Sequence, residues 1–285
     1  MTVSNILRGG VSSLSAFLKD TLNFMFPSCC MVCGKLADAD DRFSQYEDFC
    51  MAYYGKPSEL HICGKCLSSL APNASDRRWL FCLSDPYEGD PYPGLPLYMP
   101  LSYEKTVKMA VPAVKFGKKP LLANFMGCLL GTCLKSDSVH ADLIVPVPLS
   151  STRMKERGFN QAAEIAKPAA AIMGIPYAGD VLLRTRNTNK QTDLKGNLPR
   201  IANVSGAFMA SDTWDVRGLS VIVVDDVATT GFTLHEAAAA LYEAGAGKVL
   251  CAAFAGSRQV RNAEVYYRRK NARFIAILLQ MFFCI

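Results

Sequence analysis

The stretch 219–234, LSVIVVDDVATTGFTL, limits what this chain can fold into more than any other. Its apolar, β-branched run from Leu219 to Val224 does not alternate with polar residues. That predicts a strand buried on both faces, as in a parallel sheet covered by helices. The run ends in two adjacent carboxylates, Asp225 and Asp226. A small-residue loop, Ala228-Thr229-Thr230-Gly231, then leads into a helix-forming segment, LHEAAAALYEAG, that Gly245 can close. Side chains at the carboxyl end of such a strand project into the crevice where open α/β sheets bind ligands. The Thr-Thr-Gly loop can bring backbone N–H groups and two hydroxyls to an anion at a helix N-terminus. A βα turn with a helix cap is the plainer reading of the loop alone. Two acids beside an anion cradle suit a ligand that carries hydroxyls, Mg²⁺ and phosphate together. A ribose 5-phosphate with a metal-bound pyrophosphate meets that description.

VIVVDDVATTG resembles the motif by which type I phosphoribosyltransferases bind phosphoribosyl pyrophosphate (PRPP). The resemblance implies that Asp225 and Asp226 contact the ribose hydroxyls. It also implies that Ala228, Thr229, Thr230, Gly231, Phe232 and Thr233 hold the 5-phosphate, with Val227 among the PRPP-binding residues.

At 285 residues the chain is long enough for one good core, or one domain with a small module. Half its residues are hydrophobic and a fifth are charged, a globular composition, and the net charge of +6 permits an anionic ligand or nucleic acid without demanding either. Four of the eleven cysteines fall in two CxxC pairs with no secretory signal, which argues for metal in a reducing, cytoplasmic setting rather than a disulfide framework. Residues 1–26 place apolar side chains near helical spacing and predict an amphipathic helix. Its low basic content weighs against a membrane-surface role.

Residues 27–70 hold two knuckles, Cys30-Met-Val-Cys33 and Cys63-Gly-Lys-Cys66. Four thiolates in two such pairs are the usual recipe for a closed, structural Zn²⁺ site in a ribbon-like module. Cys29, Cys50 and His61 lie close enough in sequence to leave the ligand set open, and reduced, metal-free cysteines are the bland reading. Residues 71–100, rich in Pro, Gly, Asp and Tyr, predict an irregular linker in which Cys82 stands alone. The segment 101–258 then reads as the main domain. Tyr103 to Phe116 predicts a helix interrupted at Pro112, and Leu121 to Leu134 a second, apolar helix. Lys115, Lys118 and Lys119 read first as a solvated surface and second as a phosphate or nucleic-acid contact.

Leu143 to Val147 predicts a strand, followed by a basic loop, LSSTRMKERGFNQ, and a helix, QAAEIAKPAAAIMG, that Pro168 should kink. A basic loop at a strand's carboxyl end suits pyrophosphate oxygens, which Arg binds bidentately, or is a solvated charged loop. VPVPLSSTRMKERGFNQ is similar to the signature loop of the ComF family, proteins linked to DNA uptake in natural competence. RTRNTNKQTDLKGNLPRIANVSGAF, residues 184–208, resembles that family's mobile hood loop at Arg184, Arg186, Thr188, Gln191, Leu194, Arg200, Asn203 and Phe208. Read from physics alone, so long a polar segment inside a domain is a binding lid or disordered. The family joins an N-terminal zinc ribbon to a type I phosphoribosyltransferase domain, the order seen here. Many members carry a further CxxCG pair that this chain lacks.

The resemblance implies an α/β fold with a parallel sheet and flanking helices. It implies PRPP bound with Mg²⁺, with Arg157, and Arg153 or Lys190 beside it, serving the pyrophosphate, and with Gln191 among the PRPP-binding residues. It identifies no acceptor. A phosphoribosyltransferase, a non-catalytic PRPP sensor and a factor that holds single-stranded DNA beside other competence proteins all remain open readings. Phe116 beside Lys115 and Lys118 is the nearest candidate for base stacking. Strand 248–254 should complete a βαβ unit with the central strand. Residues 259–285, basic and then apolar (FIAILLQMFFCI), are too short in their apolar run to span a bilayer and read as a docked or disordered tail.

Overall fold

A computed structural model describes residues 29–36, 60–70, 78–81, 95–185 and 206–257, with the backbone alone considered at 78–81. The expected N-terminal helix, Cys50, Cys82, Arg186 to Asn203 of the lid segment, and the tail 259–285 lie outside the described residues. The chain divides into two compact units, Met1–Ser68 and Ser69–Ile285.

In the first unit the knuckle at Cys30 is closed by backbone bonds from Gly34 N–H to the Cys30 carbonyl (2.9 Å) and from Cys30 N–H to the Lys35 carbonyl (2.7 Å). Met31 N–H donates to the His61 carbonyl (2.8 Å), tying the first knuckle to the approach of the second. Helix α1, Gly64–Leu70, begins within the second knuckle.

The second unit is built on a sheet of strands β1 (Arg78–Phe81), β2 (Pro96–Met99), β3 (Leu101–Ser102), β4 (Leu143–Pro146), β7 (Ser220–Ala228) and β8 (Lys248–Gly256). Its order is β1-β2-β8-β7-β4, with β3 also paired to β8. Every pairing is parallel except β1 with β2 at the edge. The helices are α2 (Val107–Lys115), α3 (Pro120–Ser136), α4 (Ser151–Arg157), α5 (Gln161–Met173) and α6 (Phe232–Glu243), and a two-stranded ribbon joins β5 (Leu182–Arg184) to β6 (Phe208–Ala210). Val221 and Val223 belong to one core cluster with Leu234, Ala237 and Leu241 of α6, and the alternate residues Ile222 and Val224 are fully buried too. Successive strand side chains point to opposite faces, so β7 is covered on both, as its unbroken apolar run requires.

Four local expectations are corrected. The segment expected to be an irregular linker contains β1 and β2, and Leu95 to Met99 are buried without a break. Pro96 is tolerated as the first residue of its strand. Residues 151–157, expected as loop, form α4, because the Ser150 hydroxyl accepts the Arg153 N–H and Gly158 closes the helix in a left-handed conformation. The expected helix from Tyr103 starts only at Val107 and runs through Pro112. The carbonyl that Pro112 leaves unpaired belongs to Lys108, which is exposed to water. The central strand does not stop at the acids but runs on to Ala228, held by β8 through Val227–Ala255 and Ala228–Gly256.

Helices α3 and α5 pack almost backbone to backbone. A Cβ on Gly127 would collide with the Ile165 carbonyl, and one on Gly131 would come within 2.7 Å of Ala169 Cα. Pro168 of α5 cannot donate to the Glu164 carbonyl one turn back. The buried Asn124 of α3 takes that role, donating through Nδ2 to the Glu164 carbonyl (2.9 Å) and to Glu164 Oε2 (3.0 Å). Replacing Asn124 by Ala should therefore cost about 1–3 kcal/mol, the usual penalty for an orphaned, part-buried polar group. Pro168→Ala restores an N–H to that carbonyl, so it should recover part of the loss in the Asn124→Ala background. Urea denaturation of the four proteins of this cycle checks it, and strict additivity would sink the explanation.

Candidate functional site

β4 ends at Pro146, and its partnership with β7 ends with Val147 N–H donating to the Val224 carbonyl (2.8 Å). From Asp225 onward β7 has only β8 beside it. The opening this leaves is a cleft lined by Tyr103, Lys115, residues 147–149, Arg153, Arg157, Asn160, Gln161, Arg184, Asp225 to Gly231 and Thr233. Asn160 seats the start of α5 in it: its Oδ1 accepts the Ala162 N–H (3.1 Å) and its Nδ2 donates to the Val147 carbonyl (2.9 Å). On the other side Ser257 clamps the loop after β7, its N–H on the Ala228 carbonyl (2.9 Å) and its hydroxyl on the Thr229 carbonyl (2.6 Å).

Gly231 is the N-cap of α6 at φ 86°, a conformation that favours glycine, and it brings no side chain to cap the helix. The first-turn N–H groups of any helix lack acceptors within it and carry the positive end of the helix dipole. Here they stand beside Thr229, Thr230 and Thr233 in the cleft wall. That arrangement suits an anion.

The two carboxylates are held differently. Asp225 Oδ1 accepts the Asp226 N–H (2.8 Å), and Asp226 Oδ1 accepts the Val227 N–H (2.9 Å). Asp226 is buried and pairs through Oδ2 with Lys115 Nζ at 2.6 Å. Burial, and next the charge of Asp226, push the Asp225 pKa up to about 7, against the pull of Lys115. Facing them are guanidinium groups, each held by an oxygen and an aromatic ring. Arg157 Nη1 donates to Gln161 Oε1 (2.6 Å) and lies over Phe116, 5.9 Å from the ring centroid. Arg184 Nη1 donates to the Pro148 carbonyl (3.3 Å) and lies 5.0 Å over the ring of its cross-strand partner Phe208. Burial lowers the pKa of both, Arg184 to about 10, and Arg153 adds to the effect while Asp225 opposes it. Both groups remain cations at neutral pH.

The cleft thus gathers Asp225, Asp226, Arg157, Arg153, Val227, Ala228, Thr229, Thr230, Gly231 and Thr233. Phe232 turns into the core instead, and Lys190 and Gln191 lie outside the described residues. Lys115, read from sequence first as solvated surface, is the counter-ion of Asp226. Tyr103, Asn160, Gln161 and Arg184 were not singled out as site residues. Asn160 alone carried a local signal, as an N-cap residue before an apolar helix.

In the first unit the Sγ atoms of Cys30, Cys33, Cys63 and Cys66 lie within 4.8 Å of one another, with Cys33 and Cys63 at 3.7 Å. Tetrahedral sulfur ligands at about 2.3 Å from zinc stand roughly 3.8 Å apart, so the four fit a metal of that kind. Cys29 and His61 are not part of this group. Burial opposes ionisation of Cys30, yet backbone N–H groups of Cys33, Cys63 and Val32 bring its pKa down to about 7. The Cys63 N–H reaches Cys30 Sγ at 3.3 Å. Among the described residues no helix is long and apolar enough to cross a membrane.

The family described as phosphoribosyl transferase domain matches residues 160–276. The DNA utilization protein YhgH of Salmonella typhi is 40% identical over 108 residues, covering 38% of this chain and 46% of that protein. The protein of the same name from Escherichia coli O157:H7 is 26% identical over 230 residues, covering 77% and 86%. The competence protein ComFC of Bacillus subtilis is 30% identical over 145 residues, covering 50% and 57%. The match to the Salmonella relative thus spans about half of that protein's length.

The raised Asp225 pKa has a consequence for stability. A carboxyl whose folded-state pKa exceeds its unfolded value stabilises the fold while protonated, and that contribution is lost as pH rises through the raised value. The ligand-free protein should lose stability between about pH 4 and pH 8 from this group. Asp225→Asn keeps the acceptor for the Asp226 N–H and removes the titration. It should raise Tm by roughly 2–6 °C at pH 8 and change it little at pH 5. Calorimetric scans at the two pH values check this; an equal shift at both would mean the charge is not the cause.

Proposed function

Because the chain is similar to competence and DNA-utilization proteins and has a phosphoribosyltransferase-type fold, we propose that its cleft binds PRPP with Mg²⁺ and activates C1 of the ribose for transfer. The observation that carries this reading is the meeting, in one cleft, of an acidic pair, a helix N-terminus without a side-chain cap and three arginines. A sugar with two hydroxyls, a terminal phosphate and a pyrophosphate needs each of these at once. The Thr229-Thr230-Gly231 loop and α6 would take the 5-phosphate through backbone N–H groups and hydroxyls. Asp225 and Asp226 would accept from the ribose hydroxyls, which confines the sugar in register with the sheet. Arg157, with Arg153, would hold pyrophosphate oxygens as they gain charge. Lys190 and Gln191, beyond the described residues, are assigned to the same side. Mg²⁺ is commonly held by one or two carboxylates together with substrate phosphates, and when bound it would neutralise the leaving pyrophosphate. Catalysis of this kind is electrostatic and positional. The relatives are named for competence and DNA utilization, which supports work in DNA uptake or use as the process this chain serves. We assign zinc to the four-cysteine cluster, where a site closed by protein sulfur is structural.

Calorimetric titration of PRPP should show Mg²⁺-dependent binding to the wild type. The Asp225→Asn/Asp226→Asn variant should bind roughly tenfold or more weakly, the range for losing hydrogen bonds to charged acceptors. Equal affinity in the two proteins would remove the acids from the site, and no wild-type binding would remove the reading. Separately, elemental analysis should find about one zinc per chain, sharply reduced by Cys33→Ser or Cys63→Ser. A full zinc content in either variant would move the metal elsewhere.

A further inference from the structure

Phe116 caps the end of α2 and is 77% exposed, the most exposed large apolar side chain among the described residues. The chain turns directly after it, where Gly117 lies so close to the Ala113 carbonyl that a Cβ would collide. Above it lies the Arg157 guanidinium, 5.9 Å from the ring centroid. Arg157 sits at the end of α4, a helix with no buried residue, so that helix has no core-facing stripe to fix its own side chains. Among the described residues two contacts do that for Arg157. One is Gln161 Oε1 at 2.6 Å, itself in a buried side chain whose amide donates to the Phe159 carbonyl (3.2 Å). The other is the face of Phe116.

We propose that Phe116 is a positioning residue of the cleft: with Gln161 it sets the plane of the Arg157 guanidinium. A ring beside a guanidinium restricts its rotation and leaves the N–H groups that point away from the ring for a bidentate anion. A planar fork aimed in advance loses less freedom when the anion arrives. The identity of that anion, pyrophosphate, rests on the PRPP reading; the contact between ring and guanidinium does not.

Exposure makes the test clean, because substitution at so exposed a position changes stability little. Phe116→Ala removes the ring, Phe116→Leu keeps apolar bulk without a π face, and Phe116→Trp keeps the face. Each is titrated with Mg²⁺–PRPP and with ribose 5-phosphate, which lacks the pyrophosphate, and the Arg157 Nε–Hε resonance is followed by NMR without ligand. The Ala and Leu variants should bind PRPP about two- to fivefold more weakly, the range for an exposed cation–π contact. The Trp variant should match the wild type, and ribose 5-phosphate affinity and Tm should stay unchanged. The Arg157 resonance should lose its ring-current shift in the Ala and Leu variants. Unchanged PRPP affinity in Phe116→Ala, rescue by Leu, or an unmoved resonance would overturn the proposal. A wild type that binds neither ligand while the resonance still responds to the ring would overturn the PRPP reading and leave the positioning contact standing.

Discussion

The site depends on one step in the sheet: β4 stops while β7 continues. Side by side the two strands are paired from Leu143–Val221 to Pro146–Val224, and then β7 runs on to Ala228 against β8 alone. Pro146 fits at this end because Ile144, two residues back, donates outward to the Pro176 carbonyl (3.0 Å). By the alternation of a strand, the N–H that Pro146 lacks would also have pointed outward, away from β7. Past the step, the Asp226 N–H finds its acceptor in the side chain of Asp225. The unpaired edge therefore stays satisfied, and the two carboxylates are held where a third strand would otherwise have covered them.

Charge balance follows from that placement. Two adjacent, poorly solvated acids cannot both ionise cheaply, and among the described residues Lys115 makes its ion pair with Asp226. Lys115 comes from the last turn of α2, and the next residue, Phe116, lies under Arg157. One helix end thus supports an acid and a base of the cleft together. The second ring–guanidinium pair, Phe208 with Arg184, is built by cross-strand register in the β5–β6 ribbon. Each cation rests on a ring and on an oxygen of its own neighbourhood, Gln161 Oε1 for Arg157 and the Pro148 carbonyl for Arg184.

Much of this was legible in the residue order. The apolar run before Asp225-Asp226 and the helix after Gly231 depend on local periodicity and turn chemistry and were legible, while the strand's continuation through the acids to Ala228 was not. The paired cysteines read as a metal cluster because knuckle spacing is itself a local geometry. Lys115 was misjudged because nothing near it in sequence reveals that Asp226 lies opposite. The segment containing β2 was misjudged because Pro and Gly content outweighed a short apolar run, Leu95 to Met99, whose value lies in burial against β8. Pro168 was expected to disturb its helix, and the compensation comes from Asn124, some forty residues earlier in the chain.

By itself, then, the sequence determined the strand–acid–loop–helix unit, the metal-ready cysteines and the resemblance to competence and DNA-utilization proteins. These are encoded over a few neighbouring residues, where spacing and side-chain type dictate backbone geometry. Only the tertiary structure decided which side chains face one another across the cleft. It brought Lys115 to Asp226, Phe116 to Arg157 and Asn124 to the carbonyl that Pro168 leaves open. Those meetings depend on how helices and strands from distant parts of the chain pack, and close packing of buried surfaces carries no signature in the order of residues on either side.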